Sequence, residues 1–141
     1  MKEVTTILVV EDVDQIRRMV CAMLSHLGHS CLEAGDGREA VRLVRENPSV
    51  TLVITDLIMP RMSGAQLACH LTVERPDIRL IFMSGYTDDP VVQAFEHSPT
   101  YFLAKPFTAR ALIGKVREAL SRPWKGLPDE PARALFRSNT P

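Results

Sequence analysis

Ile7-Leu8-Val9-Val10-Glu11-Asp12 is a run of four aliphatic residues stopped by two acids, and what surrounds it decides the fold. Four apolar residues bounded by charge are too few for a helix and suit a strand covered on both faces. The period then changes. Ile16, Met19, Val20, Met23, Leu24 and Leu27 fall at i, i+3, i+4, i+7, i+8 and i+11, the apolar stripe of a helix that stops at Gly28, with Asp14 read as a cap. The same alternation recurs along the chain. Short apolar or β-branched runs at residues 30–34, 52–55, 80–83 and 101–104 are separated by longer segments of helical period. This pattern predicts an α/β domain built around a buried parallel sheet.

The helix ends carry their own signals. Asp36, with Glu39 three residues on, opens a second helix that ends near Asn47-Pro48. Ser63 with Gln66 repeats the device ahead of Leu67 and Leu71, up to Arg75-Pro76. Asp89-Pro90 is a cap followed by proline at the first helical position, and it opens a short fourth helix. Thr108 caps a fifth, with Leu112, Val116, Ala119 and Leu120 on one side and Arg110, Lys115, Arg117 and Glu118 on the solvated side. From Arg122 four of the ten prolines fall within twenty residues. Residues 1–121 are therefore expected to fold as one domain, and 122–141 to form a proline-rich tail, flexible or docked through Trp124, Leu127, Leu135 and Phe136.

Composition narrows the function classes. The 141 residues are 45% hydrophobic, enough for one domain with a sizeable core. Lys plus Arg and Asp plus Glu both number 17, so no overall field points toward nucleic acid or a membrane. No run approaches the roughly 20 apolar residues of a membrane span, and Met1-Lys2-Glu3 lacks the segments of a signal peptide, which predicts a cytoplasmic protein. Cys21, Cys31 and Cys69 show no C-x-x-C pairing and are expected as reduced, small core hydrophobes. His26, His29, His70 and His97 lack metal-ligand spacing, and the methionines at 19, 23, 59, 62 and 83 read as packing or loop residues.

The chemistry gathers where strands end. In an open parallel sheet the ligand crevice lies at the carboxyl ends of the strands. Glu11 and Asp12 end the first strand, Asp56 the third, Ser84 the fourth and Lys105 the fifth. All converge if the strand order is 2-1-3-4-5, that of the flavodoxin-like fold, because strands one and three then flank the switch point. Carboxylates crowded together repel, so they must protonate, spread apart or bind a cation. Oxygen ligands and open positions for phosphate oxygens favour Mg²⁺. One carboxylate, Asp56, can then serve as nucleophile toward phosphorus. Lys105 would neutralise the phosphoryl oxygens, and the Ser84 hydroxyl would donate to one of them.

Four stretches carry a family resemblance that covers about residues 5–121. Val9-Val10-Glu11-Asp12 resembles the acidic pair of response-regulator receiver domains. Ile54-Thr55-Asp56-Leu57-Ile58-Met59-Pro60-Arg61-Met62-Ser63-Gly64 resembles their phosphoacceptor strand and loop. Phe82-Met83-Ser84-Gly85-Tyr86 and Phe102-Leu103-Ala104-Lys105-Pro106-Phe107 resemble the remaining two signatures. The resemblance implies a phosphorylation switch in a two-component phosphorelay, in which Asp56 takes a phosphoryl group from a histidine kinase or histidine phosphotransfer protein. It implies Mg²⁺ held directly by Asp12 and Asp56, through water by Glu11, and by the Ile58 backbone carbonyl. It also implies a cis Lys105-Pro106 peptide, inward movement of the Ser84 hydroxyl on phosphorylation, and rotation of Phe102 into the space vacated. Output would pass to a protein partner through the face of the fourth helix, fifth strand and fifth helix. A second copy of the chain, in a phosphorylation-dependent homodimer, is a further candidate partner. Ile58 and Tyr86, each two residues after a signature residue, are expected to shield the acyl phosphate from water.

Other functions fit less well. A metal-dependent phosphatase with an aspartyl nucleophile wants a second acid two residues on, where Ile58 stands. A flavin carrier needs a hydroxyl- and glycine-rich phosphate loop after the first strand, where Glu11 and Asp12 would repel the phosphate. A degenerate receiver that binds partners without phosphorylation is opposed by the intact acid pair, acceptor, hydroxyl and lysine. The twenty residues after 121 are too few for an independent DNA-binding fold, so the expected output is protein contact. The stretches at 82–86 and 102–107 also resemble receivers attached to hybrid sensor kinases, which leaves both a stand-alone relay component and a piece of a longer protein open.

Overall fold

Five strands, β1 Thr6–Val10, β2 Ser30–Ala34, β3 Val50–Asp56, β4 Arg79–Ser84 and β5 Tyr101–Ala104, pair in parallel in the order β2-β1-β3-β4-β5. The helices are α1 Asp14–His26, α2 Gly37–Glu46, α3 Gly64–Glu74 and, after β5, α4 Ala109–Ser121. The computed structural model describes residues 5–85, 88–90, 93 and 101–122. This is the flavodoxin-like α/β architecture expected from the alternation of short apolar runs and helical stripes. Each strand lies within about two residues of its expected position, and β2 and β5 coincide with it.

Because strand side chains alternate between faces, β1 divides its apolar residues between two cores. Leu8 and Val10 pack with Ala40, Val44, Leu67, Leu71 and Phe82 under α2 and α3. Ile7 and Val9 pack with Val20, Leu24, Leu112 and Val116 under α1 and α4. Both faces of the central strands are therefore covered, and the ends of those strands are where polar groups can gather around a ligand.

Two helix expectations are corrected. Asp14 does not cap α1: Val13, in extended conformation, occupies that position with no side-chain bond, and Asp14 is the first helical residue. Its carboxylate instead accepts from Arg17 at 2.8 Å. Met19 is 44% exposed, while Cys21, absent from the expected stripe, is buried. At 100° per residue these two lie on opposite flanks of the stripe, and the Cys21 flank is the one that meets β2. The stop at Gly28 holds, where φ of +93° suits glycine and its N–H bonds the Ser25 carbonyl.

The other caps agree with expectation. Asp36 accepts from the Glu39 N–H, Ser63 and Gln66 form a reciprocal capping box, and Thr108 accepts from the Ala111 N–H. At the far end of α4 the Arg79 guanidinium donates to the Ala119 and Arg122 carbonyls, closing its last turn against β4. At the expected fourth helix, Gln93 N–H donates to the Asp89 carbonyl, one helical bond; the rest of that element lies outside the described residues, as do the tail positions Trp124 to Pro141. None of the described helices is long and apolar enough to cross a membrane.

Candidate functional site

The switch in strand order sets the site. From β2 the chain passes back over β1 to β3, so β1 and β3 are neighbours whose helices cover opposite faces of the sheet. Val10 stands opposite Thr55, which brings Glu11 and Asp56 side by side one step beyond. Beyond β3, the sheet continues through Met83 beside Asp56 and Ala104 beside Ser84. The Lys105 N–H donates to the Ser84 carbonyl at 2.9 Å, and this extends the pairing to the residue that carries the cation.

Here the sequence-expected acids meet. Oxygen atoms of Glu11, Asp12 and Asp56 lie within 4.8 Å of one another. Glu11 is fully buried, Asp56 is 5% exposed, and Asp12 faces solvent. The Lys105 ammonium lies 2.5 Å from Glu11 Oε1 and 2.9 Å from Asp56 Oδ2. Asp56 Oδ1 accepts from the Ile58 N–H at 3.2 Å. Ser84 is fully buried at the end of β4, and Phe102 is half-buried against the core under α2 and α3. The Lys105-Pro106 peptide is cis. Tyr86 lies outside the described residues.

Electrostatics distinguish the members. Burial, reinforced by the neighbouring Asp56 carboxylate, pushes the Glu11 carboxyl up to about 7 despite its bond to Lys105. Burial opposes the Lys105 charge, but its hydrogen bonds to Glu11 and Asp56 outweigh this and hold the ammonium above its usual range. Glu11 Oε2 is buried with no hydrogen-bond partner among the described residues. A hard cation suits this set. Three carboxylates of which one oxygen is orphaned and one acid is exposed offer oxygen ligands while leaving room for water and phosphate.

Two residues that the sequence reading did not single out hold the acids in place. Arg17, with a side chain only 13% exposed, donates to the Glu11 backbone carbonyl at 2.8 Å and to the carboxylates of Asp14 and Glu33 at 2.8 and 3.2 Å. Its spacing three residues after Asp14 on a helix was a signal for the first ion pair only. Gly64 folds back on the acceptor: its N–H donates to the Leu57 carbonyl, and a Cβ there would lie 2.0 Å from the Asp56 carbonyl oxygen. Between them, Arg61 takes a φ of +70°, unusual for a residue with a side chain, in the turn that returns the loop to α3.

Known proteins resemble this chain in sequence and fold. The family model described as response regulator receiver domain matches residues 7–117. Sensor kinase CckA of Brucella abortus is 35% identical over 119 residues, 83% of this chain but 13% of that protein. The DNA-binding transcriptional regulator NtrC of Azospirillum brasilense is 35% identical over 117 residues, 82% of this chain and 24% of that protein. A receiver domain protein from Clostridium thermocellum has a solved structure that superposes with a TM-score of 0.76 at 29% identity, covering 84% of this chain and 96% of that one. The chain thus spans a quarter or less of these two curated relatives. With the family match running from β1 into α4, the chain belongs to the response regulator receiver domains of two-component systems, which are phosphoacceptor switches and not independent enzymes.

Proposed function

We propose that Asp56 is the phosphoacceptor of this receiver domain and that Asp12, Asp56 and the Ile58 carbonyl, with Glu11 acting through water, hold a Mg²⁺ ion beside it. The observation that carries this reading is the convergence of three carboxylates and one ammonium, from the ends of β1, β3 and β5, at the carboxyl end of the sheet. The donor is a phosphohistidine of a kinase or phosphotransfer protein. An Asp56 carboxylate oxygen attacks phosphorus, the P–O bond forms as the P–N bond breaks, and the imidazole leaves with the bond's electrons and takes up a proton. When bound, the cation supplies positive charge to the phosphoryl oxygens. Lys105, already within reach of Asp56, would add a second positive charge.

Several finer assignments rest on the same reading. The buried Ser84 hydroxyl follows the new phosphoryl oxygens inward, and Phe102 turns from its half-buried position into the space released. The shift favours an active state already present in the population, read by a protein partner at the face that includes the Asp89-Pro90 segment, β5 and α4. The active state also offers that face to a second copy of the chain. No nucleic acid or membrane is engaged directly, and the domain works in the cytoplasm. Ile58 and Tyr86 set how long the acyl phosphate lasts.

The test is intact-mass spectrometry after incubation with acetyl phosphate, with and without Mg²⁺, on wild type and Asp56→Asn. The expected result is a metal-dependent gain of about 80 Da in wild type alone. No adduct in wild type, with beryllofluoride also failing to bind, would replace this reading with that of a receiver that binds partners without phosphorylation.

A further inference from the structure

The thiols of Cys21 and Cys31 meet on the side of the sheet away from α2 and α3. Cys21 is a buried residue of α1, and Cys31 is a half-buried residue of the edge strand β2. Their sulfur atoms lie 2.7 Å apart, and neither is in a disulfide. Formation of a disulfide bond asks for an approach of only about 0.7 Å. Both residues line the core under α1, and the strand register places Cys31 opposite Ile7, four residues before the acidic end of β1.

We propose that Cys21 and Cys31 form a site of reversible oxidative modification, closed to an intramolecular disulfide by a peroxide. The chemistry runs in two displacements. The Cys31 sulfur, the more accessible of the two, attacks one peroxide oxygen as thiolate; the O–O bond breaks, and the departing hydroxide is protonated to water. The Cys21 sulfur then attacks the Cys31 sulfenic acid, the S–O bond breaks, and the second hydroxide leaves as water with the Cys21 proton. Two thiols are oxidised and one peroxide is reduced to two waters. The contact between the two sulfurs fits this order: it lowers the Cys31 thiol and pushes the Cys21 thiol far up, so Cys31, the less buried of the two, loses its proton first.

The bond would join α1 to β2 across the Gly28 turn, at the end of the sheet remote from the acid cluster. Cys69, on α3 under the opposite face, provides an internal standard. The experiment uses the full chain, reduced, desalted and exposed to hydrogen peroxide, then denatured, alkylated with N-ethylmaleimide and digested with trypsin. The sequence has no Lys or Arg between Met19 and Arg38, so both cysteines stay on one peptide. The expected result is a 19–38 peptide about 2 Da lighter and unlabelled, restored to two labels by dithiothreitol, with Cys69 labelled throughout. In concentrated urea the bond should form much more slowly. Labels on both Cys21 and Cys31, a bond to Cys69, oxidation of Cys31 to sulfinic acid with Cys21 still labelled, or equal rates in urea and buffer would each overturn the proposal.

Discussion

The Lys105 ammonium lies 2.9 Å from Asp56 Oδ2, although their strands are not neighbours: β4 separates β3 from β5. Lys105 reaches across the end of β4, and the same nitrogen also contacts Glu11 Oε1. One cation thus balances two carboxylates contributed by two further strands. Lys105→Met leaves those acids facing each other with their charge uncompensated. Without metal, we expect the variant to be less stable by roughly 1–3 kcal/mol in urea denaturation. Mg²⁺ should recover part of the loss and bind the variant more tightly in calorimetric titration, because a competing cation has gone. Phosphorylation by acetyl phosphate should still slow by roughly 10²-fold, since charge aimed at the developing transition state has been removed.

Glu11 gives the site a pH dependence of defined sign. Its carboxyl is raised from 4.5 to about 7, first by burial, so the folded chain holds that proton more tightly than the unfolded chain does. Its stabilising contribution is fully present below pH 4.5 and is lost as pH rises to about 7. The Lys105 ammonium, shifted upward from 10.5, stays charged throughout this window and adds no slope there. In EDTA, Glu11→Gln should therefore gain stability relative to wild type between pH 4.5 and 7 and hold a constant difference above 7. Mg²⁺ binding has the opposite slope, because the ligand must lose its proton. Apparent affinity should fall by about tenfold per unit below pH 7 and level off above it.

Arg17 tests whether the acid pair needs support from outside the site. Its guanidinium grips the Glu11 carbonyl and two carboxylates from different elements, a geometry that a lysine ammonium cannot match. Arg17→Lys should weaken Mg²⁺ binding severalfold, and Arg17→Ala by about tenfold, the scale typical of residues that orient metal ligands. Both should remain folded by circular dichroism. Equal Mg²⁺ affinity in all three proteins would reduce Arg17 to a surface ion-pair residue.

Gly64→Ala asks how closely the loop after the acceptor must pack. An added Cβ meets the Asp56 carbonyl oxygen at 2.0 Å and the Leu57 Cα at 2.9 Å, both backbone atoms that cannot swing aside. We expect a loss of about 1–3 kcal/mol in denaturant unfolding and a matching fall in acetyl phosphate reactivity as Asp56 is displaced. An alanine variant with wild-type stability and phosphorylation rate would show that the loop yields without moving the acceptor.

Much of this architecture was legible because separate local signals agreed. The run 7–10 closed by Glu11-Asp12, the Ser63/Gln66 box and the helical stripe of α4 each fixed an element by a different physical rule. The strand order expected was the one under which the acids and the lysine converge, and the sheet has that order. What escaped depended on contacts between distant parts of the chain. Met19 and Cys21 lie on opposite flanks of the α1 stripe, and the position of β2 decides which is buried. Asp14 has a capping side chain, but the extended Val13 takes the cap position, and Arg17 takes the Asp14 carboxylate. Arg17 itself shows an intrahelical pair in sequence, whereas its bonds to the Glu11 carbonyl and to Glu33 need the folded β1 and β2. Gly64 reads as a helix-start residue until the loop returns it to the Asp56 carbonyl.

Ile58 is where lifetime is expected to be set. Its N–H donates to Asp56 Oδ1, and its side chain is half-buried against the core that includes Leu57 and Met59. An aliphatic group at this position offers no hydrogen bond to an attacking water, and on the proposed reading its bulk would keep that water from the line of approach to phosphorus. Ile58→Asn keeps the backbone N–H but introduces a carboxamide able to orient water, so loss of the phosphoryl adduct should accelerate, on the order of 10²-fold, the lower end for a positioned polar group. Tyr86→Glu extends the test to the residue expected on the other side of the acceptor. The measurement is the decay of the phosphorylated mass after removal of acetyl phosphate, in the presence of Mg²⁺, for wild type and each variant. Unchanged half-lives in both variants would mean that neither side chain shields the bond, and that lifetime is set instead by the carboxylates and Lys105 themselves.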